Sequence, residues 1–190
     1  AVRECIRPDD AQQRDLLSRL SMFAGGRMIL MTCERFEVYA HALTVDAKSL
    51  LSQVAKQFPL ATESLIRYGE VLTGSRAAAH LIKVAAGLES RIIGEAPILG
   101  QVRSAFAQAN ACNSLDAKLS TLGRTAIRAG KRVRHETAVA KGARSIAAIA
   151  VDRAEAAQLP EHERNYLVLG NGQLACEVAA GLALPRVERI

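Results

Sequence analysis

Apolar residues recur at two different spacings along this chain, and the change from one to the other falls near residue 72. Before it, short segments alternate in type. Leu16, Leu17 and Leu20 lie on one side of a helix predicted over residues 9–24. Residues 27–32 and 35–42 are rich in Ile, Val, Tyr and Met and predict two strands. Leu50, Leu51 and Val54 mark an amphipathic helix over 46–57, which Pro59 ends, and a further strand is expected over 64–72. Beyond Ser75 the period becomes helical, with Leu81, Val84, Ala85 and Leu88 at i, i+3, i+4 and i+7. Helices are also expected over 97–110 (Ile98, Leu99, Val102, Phe106), 115–134 (Leu115, Leu119, Leu122, Ala126, Ala129, Val133) and 142–157 (Ile146, Ala147, Ala150, Ala154). Stripes of this kind are buried by packing against one another. The expected fold is therefore α/β followed by α, a small α/β unit with a helical bundle.

Pro160 closes the helical region, and the pattern changes again. Residues 165–169, Asn-Tyr-Leu-Val-Leu, predict a buried strand, followed by Gly170-Asn171-Gly172-Gln173-Leu174-Ala175 and an Ala-rich helix. This is G-x-G-x-x-A in strand, loop, helix order, the phosphate-binding turn of a Rossmann-type dinucleotide fold. Its glycines permit a tight turn and close backbone approach, and a helix N-terminus faces the pyrophosphate. A Gly-rich turn in an unrelated α/β unit is the competing reading. The acidic residue that reads the ribose is expected about 20 residues on, near or past Ile190, so the sequence ends before such a unit is complete. Two units are expected, 1–158 and 159–190.

Composition narrows this picture. Aromatics are 4% and Trp is absent, while 49% of residues are hydrophobic, so the core is aliphatic and favours helices. Cys5, Cys33, Cys112 and Cys176 show no metal or redox-motif spacing, which argues against zinc or a disulfide framework and fits a reducing, cytoplasmic setting. No apolar run approaches the ~20 residues of a membrane span. The start lacks an apolar signal region and an initiator Met, and reads as a chain whose beginning is missing. The net charge of +6 is concentrated, with Arg124, Arg128, Lys131, Arg132, Arg134 and Lys141 in one region. Such a run is either a solvated helix face or a phosphate-contacting surface. Without interleaved aromatics, backbone or shape contact with a folded RNA fits better than single-strand reading.

Candidate chemistry centres on Cys33, at the turn between the two predicted strands, with Arg35 two residues on. A cation beside a thiol raises the thiolate fraction, and the thiolate is the nucleophile. An extended segment would put Cys33, Arg35 and Glu37 on one face. From this stretch alone, a buried strand-end cysteine is the favoured reading, because free cysteines are among the most buried residues. Further segments overturn it. They are His80-Leu81-Ile82-Lys83-Val84-Ala85-Ala86-Gly87-Leu88-Glu89-Ser90, continuing through Gly94-Glu95-Ala96-Pro97 to Gln101, and Gly130-Lys131-Arg132-Val133-Arg134-His135-Glu136-Thr137. With the cysteine turn and the glycine turn, in this order, they resemble glutamyl-tRNA reductase over nearly the whole chain.

The resemblance implies most of a catalytic domain and the opening of an NADPH domain. The family's helical dimerisation domain, through which the full protein forms a homodimer, would lie outside. It implies that Cys33 attacks the activated ester of glutamyl-tRNA, forms a thioester and releases the tRNA. Hydride from NADPH then gives glutamate-1-semialdehyde, the first committed step toward tetrapyrroles, with no metal required. His80 matches a histidine important for activity, in proton transfer. Thr32, Cys33 and Arg35 match the substrate-gripping turn, with Glu34 within it, and Arg35 is a clamp for carboxylate or phosphate oxygen. Ser90, Glu95 and Gln101, with Ala96 and Pro97, match the substrate pocket. Gly170, Gly172 and Ala175, with Asn171, Gln173 and Leu174, match the cofactor turn. Departures surround the substrate. Glu34 stands where Asn is usual, Phe36 where Thr is usual, Met31 where Ser is usual, and Pro97 replaces a side-chain amide. Glu34 is expected to raise the Cys33 pKa and oppose Arg35. A relative with altered chemistry, acting as a tRNA-binding or regulatory protein, is the alternative.

Overall fold

Strands β1 (Gly26–Met31) and β2 (Phe36–His41) pair antiparallel, with Gly26 opposite His41 and Met31 opposite Phe36. This computed structural model describes residues 6, 8–42, 46–59, 62–140, 145–156 and 165–183. A two-stranded sheet is marginal alone, and here helices cover both of its faces. On one side Met28, Leu30 and Tyr39 enter a core with Leu81, Val84 and Ala85 of α4 (Gly74–Ala86). Ile98 and Val102 of α5 (Pro97–Ala111) and Leu119 and Ala126 of α6 (Ala117–Glu136) complete it. On the other side Ile29, Phe36 and Val38 pack with Leu16 and Leu17 of α1 (Asp10–Arg19), Leu20 of the following 3-10 turn, and Val54 of α2 (Ala47–Ala55). The expected α/β unit and helical bundle share the hairpin, which is a wall common to both cores.

Two expected strands are not formed. Within 64–72 the chain instead builds α3 (Thr62–Tyr68). Thr62 Oγ1 donates to the carbonyls of Ala55 and Phe58, both at 3.0 Å, and the Gly69 N–H bonds to Leu65 O at 2.8 Å. Local i to i+4 bonds satisfy this backbone, whereas a strand needs a neighbouring edge. Residues 165–169 have β-like composition but no strand beside them among the described residues, and Leu167 and Leu169 are 83% and 85% exposed. The helix expected after the glycine turn is present as α8 (Gln173–Ala183), packed on α7 (Ile146–Glu155). No helix among the described residues is long and apolar enough to cross a membrane.

The longest helix is set close to its neighbours. A side chain at Gly123 would overlap the Phe106 ring, and a Cβ at Gly130 would lie 2.5 Å from the carbonyl oxygen of Ala85. Asp116 anchors the start of α6. Its Oδ1 accepts from the Leu119 N–H at 2.8 Å, and its Oδ2 pairs with His41 at the open end of the hairpin. Burial works against the charged form of Asp116. The Leu119 N–H and His41 nevertheless hold its carboxyl below the ordinary value. A depressed carboxyl contributes stability above its unfolded pKa, and that contribution is lost as pH falls through the folded value. Asp116→Ala is expected to cost about 1–2 kcal/mol in chemical denaturation at neutral pH. Asp116→Asn retains the cap, so its smaller deficit should shrink as pH is lowered below about 4. A deficit that grows on acidification would contradict this account.

Candidate functional site

The hairpin tip is fixed by a threonine. Thr32 donates its N–H to Arg35 O at 2.9 Å, while its Oγ1 accepts the N–H groups of Glu34 and Arg35, each at 3.1 Å. These bonds satisfy the turn internally and leave Cys33 exposed and outside any disulfide. The thiol is therefore not the buried strand-end residue that composition alone favours. It also leaves the strand face expected to hold it, and Arg35 and Glu37 stay there together.

Glu37 is the hub of the site. Its Oε1 meets Arg35 Nη1 at 3.0 Å and His80 Nε2 at 3.1 Å, and its Oε2 accepts the Tyr39 hydroxyl at 2.5 Å. His80 reaches it from the middle of α4. Burial, and then the Glu37 carboxylate, push the Tyr39 phenol far above its ordinary range. The carboxylate fixes the guanidinium of Arg35 and the ring of His80 at once, with Nδ1 of the histidine turned away from it. That geometry suits a proton-transfer group beside an oriented cation.

A second segment closes over the tip. The α4 helix ends at Gly87, whose φ of +79° suits glycine, and the Gly94 N–H donates to Gly87 O at 2.9 Å. Gly94, at φ +81°, lies so near Val139 that any side chain would overlap its carbonyl. Residues 88–93 are thereby held as a short loop. Arg35 Nη2 donates to Glu89 O at 2.7 Å, and Arg91 Nε meets Glu34 Oε1 at 3.1 Å. Glu34 is thus paired with Arg91 rather than opposing Arg35, because the loop brings a second cation to the tip. Ser90 is buried, and its Oγ has no partner among the described residues. Arg134 of α6 supports the loop, donating to Gly94 O at 3.2 Å and to Glu95 O.

The structure therefore brings Thr32, Cys33, Glu34, Arg35, His80 and the Ser90 loop together. Glu95 and Ala96 lead into α5, Pro97 is its first residue, where proline fits without loss, and Gln101 lies one turn on, half-buried. No hydrogen bond joins their side chains to the tip among the described residues. Gly170, Asn171 and Gly172 precede α8, and Gln173, Leu174 and Ala175 form its first turn, with no hydrogen bond to the hairpin among the described residues. Phe36, a departure from the resembled pattern, packs edge-on against Phe58 with ring centroids 5.2 Å apart, so it serves the core. In the basic run Arg134 is turned inward onto the loop carbonyls, and Lys141 lies outside the described residues. Glu37, Tyr39 and Arg91 are site residues beyond the expected set. The spacing Arg35-x-Glu37-x-Tyr39 on one strand face is the sequence signal for two of them.

The family model described as glutamyl-tRNAGlu reductase, N-terminal domain, matches residues 1–137. The glutamyl-tRNA reductase of Methanopyrus kandleri is 36% identical over 173 residues, covering 91% of this chain and 40% of that protein. That of Carboxydothermus hydrogenoformans is 35% identical over 193 residues, covering 100% of this chain and 43% of its own length. The solved structure of glutamyl-tRNA reductase from Methanopyrus kandleri superposes with a TM-score of 0.66 at 35% identity, over 95% of this chain and 42% of that one. The chain thus spans less than half the length of these relatives.

Glu37→Gln is expected to lower Tm, because it removes the carboxylate that Arg35, His80 and Tyr39 share and leaves the largely buried Arg35 cation without its anion. An unchanged Tm would mean that Glu37 does not hold the cluster together.

Proposed function

This chain belongs to the glutamyl-tRNA reductase N-terminal-domain family, and from that premise we propose that Cys33 is the nucleophile of an NADPH-dependent reduction of glutamyl-tRNA to glutamate-1-semialdehyde. The observation that carries the reading is an exposed Cys33 in a turn braced by Thr32, two residues before the Arg35 that joins Glu37 and His80 in one cluster. In the first step the Cys33 thiolate attacks the ester carbonyl, the bond from that carbon to the ribose oxygen breaks, and a thioester forms. The departing oxygen takes a proton, which His80 can supply, and the tRNA leaves as its free hydroxyl. Arg35 uses two of its five N–H donors on Glu37 and Glu89 O, leaving others for a substrate carboxylate. Thr32, Glu34, Ser90, Glu95, Ala96, Pro97 and Gln101 complete the proposed substrate contacts.

The cofactor belongs to the same proposal. Gly170 sits at φ +146°, a backbone state suited to glycine, and a Cβ at Gly172 would meet nothing within 4 Å. The turn therefore fits close approach of a pyrophosphate to the start of α8. Gly170, Asn171, Gly172, Gln173, Leu174 and Ala175 would hold NADPH, which when bound supplies the hydride that takes the acyl group to the aldehyde. We place the catalytic unit at 1–158 and the cofactor unit from 159, with a cytoplasmic homodimer as the assembled enzyme.

One observation favours a second reading, a tRNA-binding or regulatory relative with altered chemistry. Glu34, the residue after Cys33, is a carboxylate bound to Arg91, and Pro97 offers no amide to the pocket. Trapping of labelled glutamate from glutamyl-tRNA in the absence of NADPH separates the two. Wild type is expected to hold hydroxylamine-labile label, and Cys33→Ser to lose it on the order of 10³-fold or more with its fold intact. Bound tRNA without label in wild type would favour the second reading, and equal thioester label in the variant would sink the Cys33 mechanism.

A further inference from the structure

We infer that the solvent face of α6 is a docking surface for the phosphate backbone of double-helical RNA, laid so that the RNA ends near Cys33. This deepens the preceding proposal and rests on its choice of tRNA as substrate, adding where the body of the tRNA lies. The buried side of α6 is formed by Leu119, Gly123, Ala126 and Gly130. Lys118, Arg124, Arg128, Lys131, Arg132 and His135 are exposed along the rest. Arg132 is met by Glu136, with bonds of 3.1 and 3.0 Å. Arg124, Arg128 and Lys131 have no anionic partner among the described residues.

The distribution of these charges argues against an ordinary solvated face. Soluble helix surfaces intersperse both signs, and Glu136 is the one acid in α6. Arg124 and Arg128 are four residues apart, as are Arg128 and Arg132, and like charges at that spacing destabilise a helix. The helix dipole rewards cations in the last turn, which accounts for Arg134 and His135 but not for Arg124 and Arg128 at mid-helix. No acid among the described residues compensates the cations at mid-helix, which leaves the anion to be supplied from outside.

Its chemistry follows from shape. The cations run from Lys118 to His135, about 25 Å at the rise of an α-helix, which suits an extended polyanion rather than a small ion. The α6 helix carries no Phe, Tyr or Trp for base stacking, which disfavours single strands. Its apolar side is already buried against α4 and β1, so it has no face to sink into a bilayer. Duplex RNA, contacted through phosphates, fits. Direction is set by the two ends of the helix. Asp116 puts the first turn at the open end of the hairpin, while Arg134 binds the 94–95 carbonyls of the segment that receives Arg35 at Glu89. The last turn of α6 and Cys33 therefore share one end of the domain.

The test is the combined Arg124→Gln, Arg128→Gln, Lys131→Gln variant of the whole chain, in which glutamine retains helix propensity. Glutamyl-tRNA affinity is measured across a range of KCl concentrations, together with Tm and label trapping at saturating tRNA. The slope of log Kd against log salt should fall by about 2–3, roughly one for each phosphate that the variant no longer neutralises. Affinity should weaken about 10-fold or more, trapped label should be unchanged, and Tm should hold or rise. An unchanged slope, with or without a fall in Tm, overturns the surface and leaves the Cys33 chemistry standing. Wild type that binds a single-stranded oligonucleotide or anionic vesicles as tightly as tRNA also overturns it. Salt-dependent tRNA binding that responds to the variant, with no label in wild type, supports the surface while defeating the acyl-transfer reading.

Discussion

A sheet of two strands has no interior of its own, and the need to cover both of its faces governs this fold. The alternation of side chains sends Met28, Leu30, Glu37 and Tyr39 toward α4, α5 and α6, and sends Ile29, Phe36 and Val38 toward α1 and α2. The same alternation that buries the core carries Glu37 to His80, since both lie on the α4 side. The hairpin tip extends past both layers, and there the thiol is exposed. The site geometry is thus a direct result of how the hairpin is packed.

Charges near the thiol and charges along α6 are arranged in opposite ways. At the tip each cation is engaged, Arg35 by Glu37 and the Glu89 carbonyl, Arg91 by Glu34, and Arg134 by the loop carbonyls. These contacts are partly buried for Arg35 and Glu37, with 12% and 20% of the side chains exposed, so they fix positions more than they supply net charge. Along α6 the cations at mid-helix are unopposed among the described residues. One part of the molecule uses electrostatics for orientation, and the other presents a field.

Much of this is legible in the sequence where the signal is local. The two strands, the turn at Cys33 and the stripes of α4, α5 and α6 follow from periods of two and 3.6, which a chain expresses within a few residues. The misses are non-local. Residues 64–72 and 165–169 have strand-forming composition, but a strand exists through a neighbour, and neither segment has one among the described residues. Glu37 lies in view on the strand face beside Arg35, yet its importance depends on His80, 43 residues away. The roles of Arg91 and Arg134 are not legible, because nothing in their surroundings in the chain marks the partners that they bind. The change of period near residue 72 does not show that the hairpin is shared by two cores, an arrangement that periodicity does not report.

The bonds that complete the site close long stretches of chain. Glu37 to His80 spans 43 residues and Arg35 to the Glu89 carbonyl spans 54, while the hairpin itself closes through a turn of a few residues. Closure entropy grows with loop length, so the local hairpin precedes its distant partners. On a ribosome adding roughly 5–20 residues each second, the thiol emerges about 3–11 s before the Glu89 carbonyl that anchors Arg35. For that interval the nascent chain carries a cysteine on a formed or forming turn with no closing loop, and for most of it without His80. Its reactive setting is therefore acquired late in synthesis, as the segment after α4 arrives to cover it.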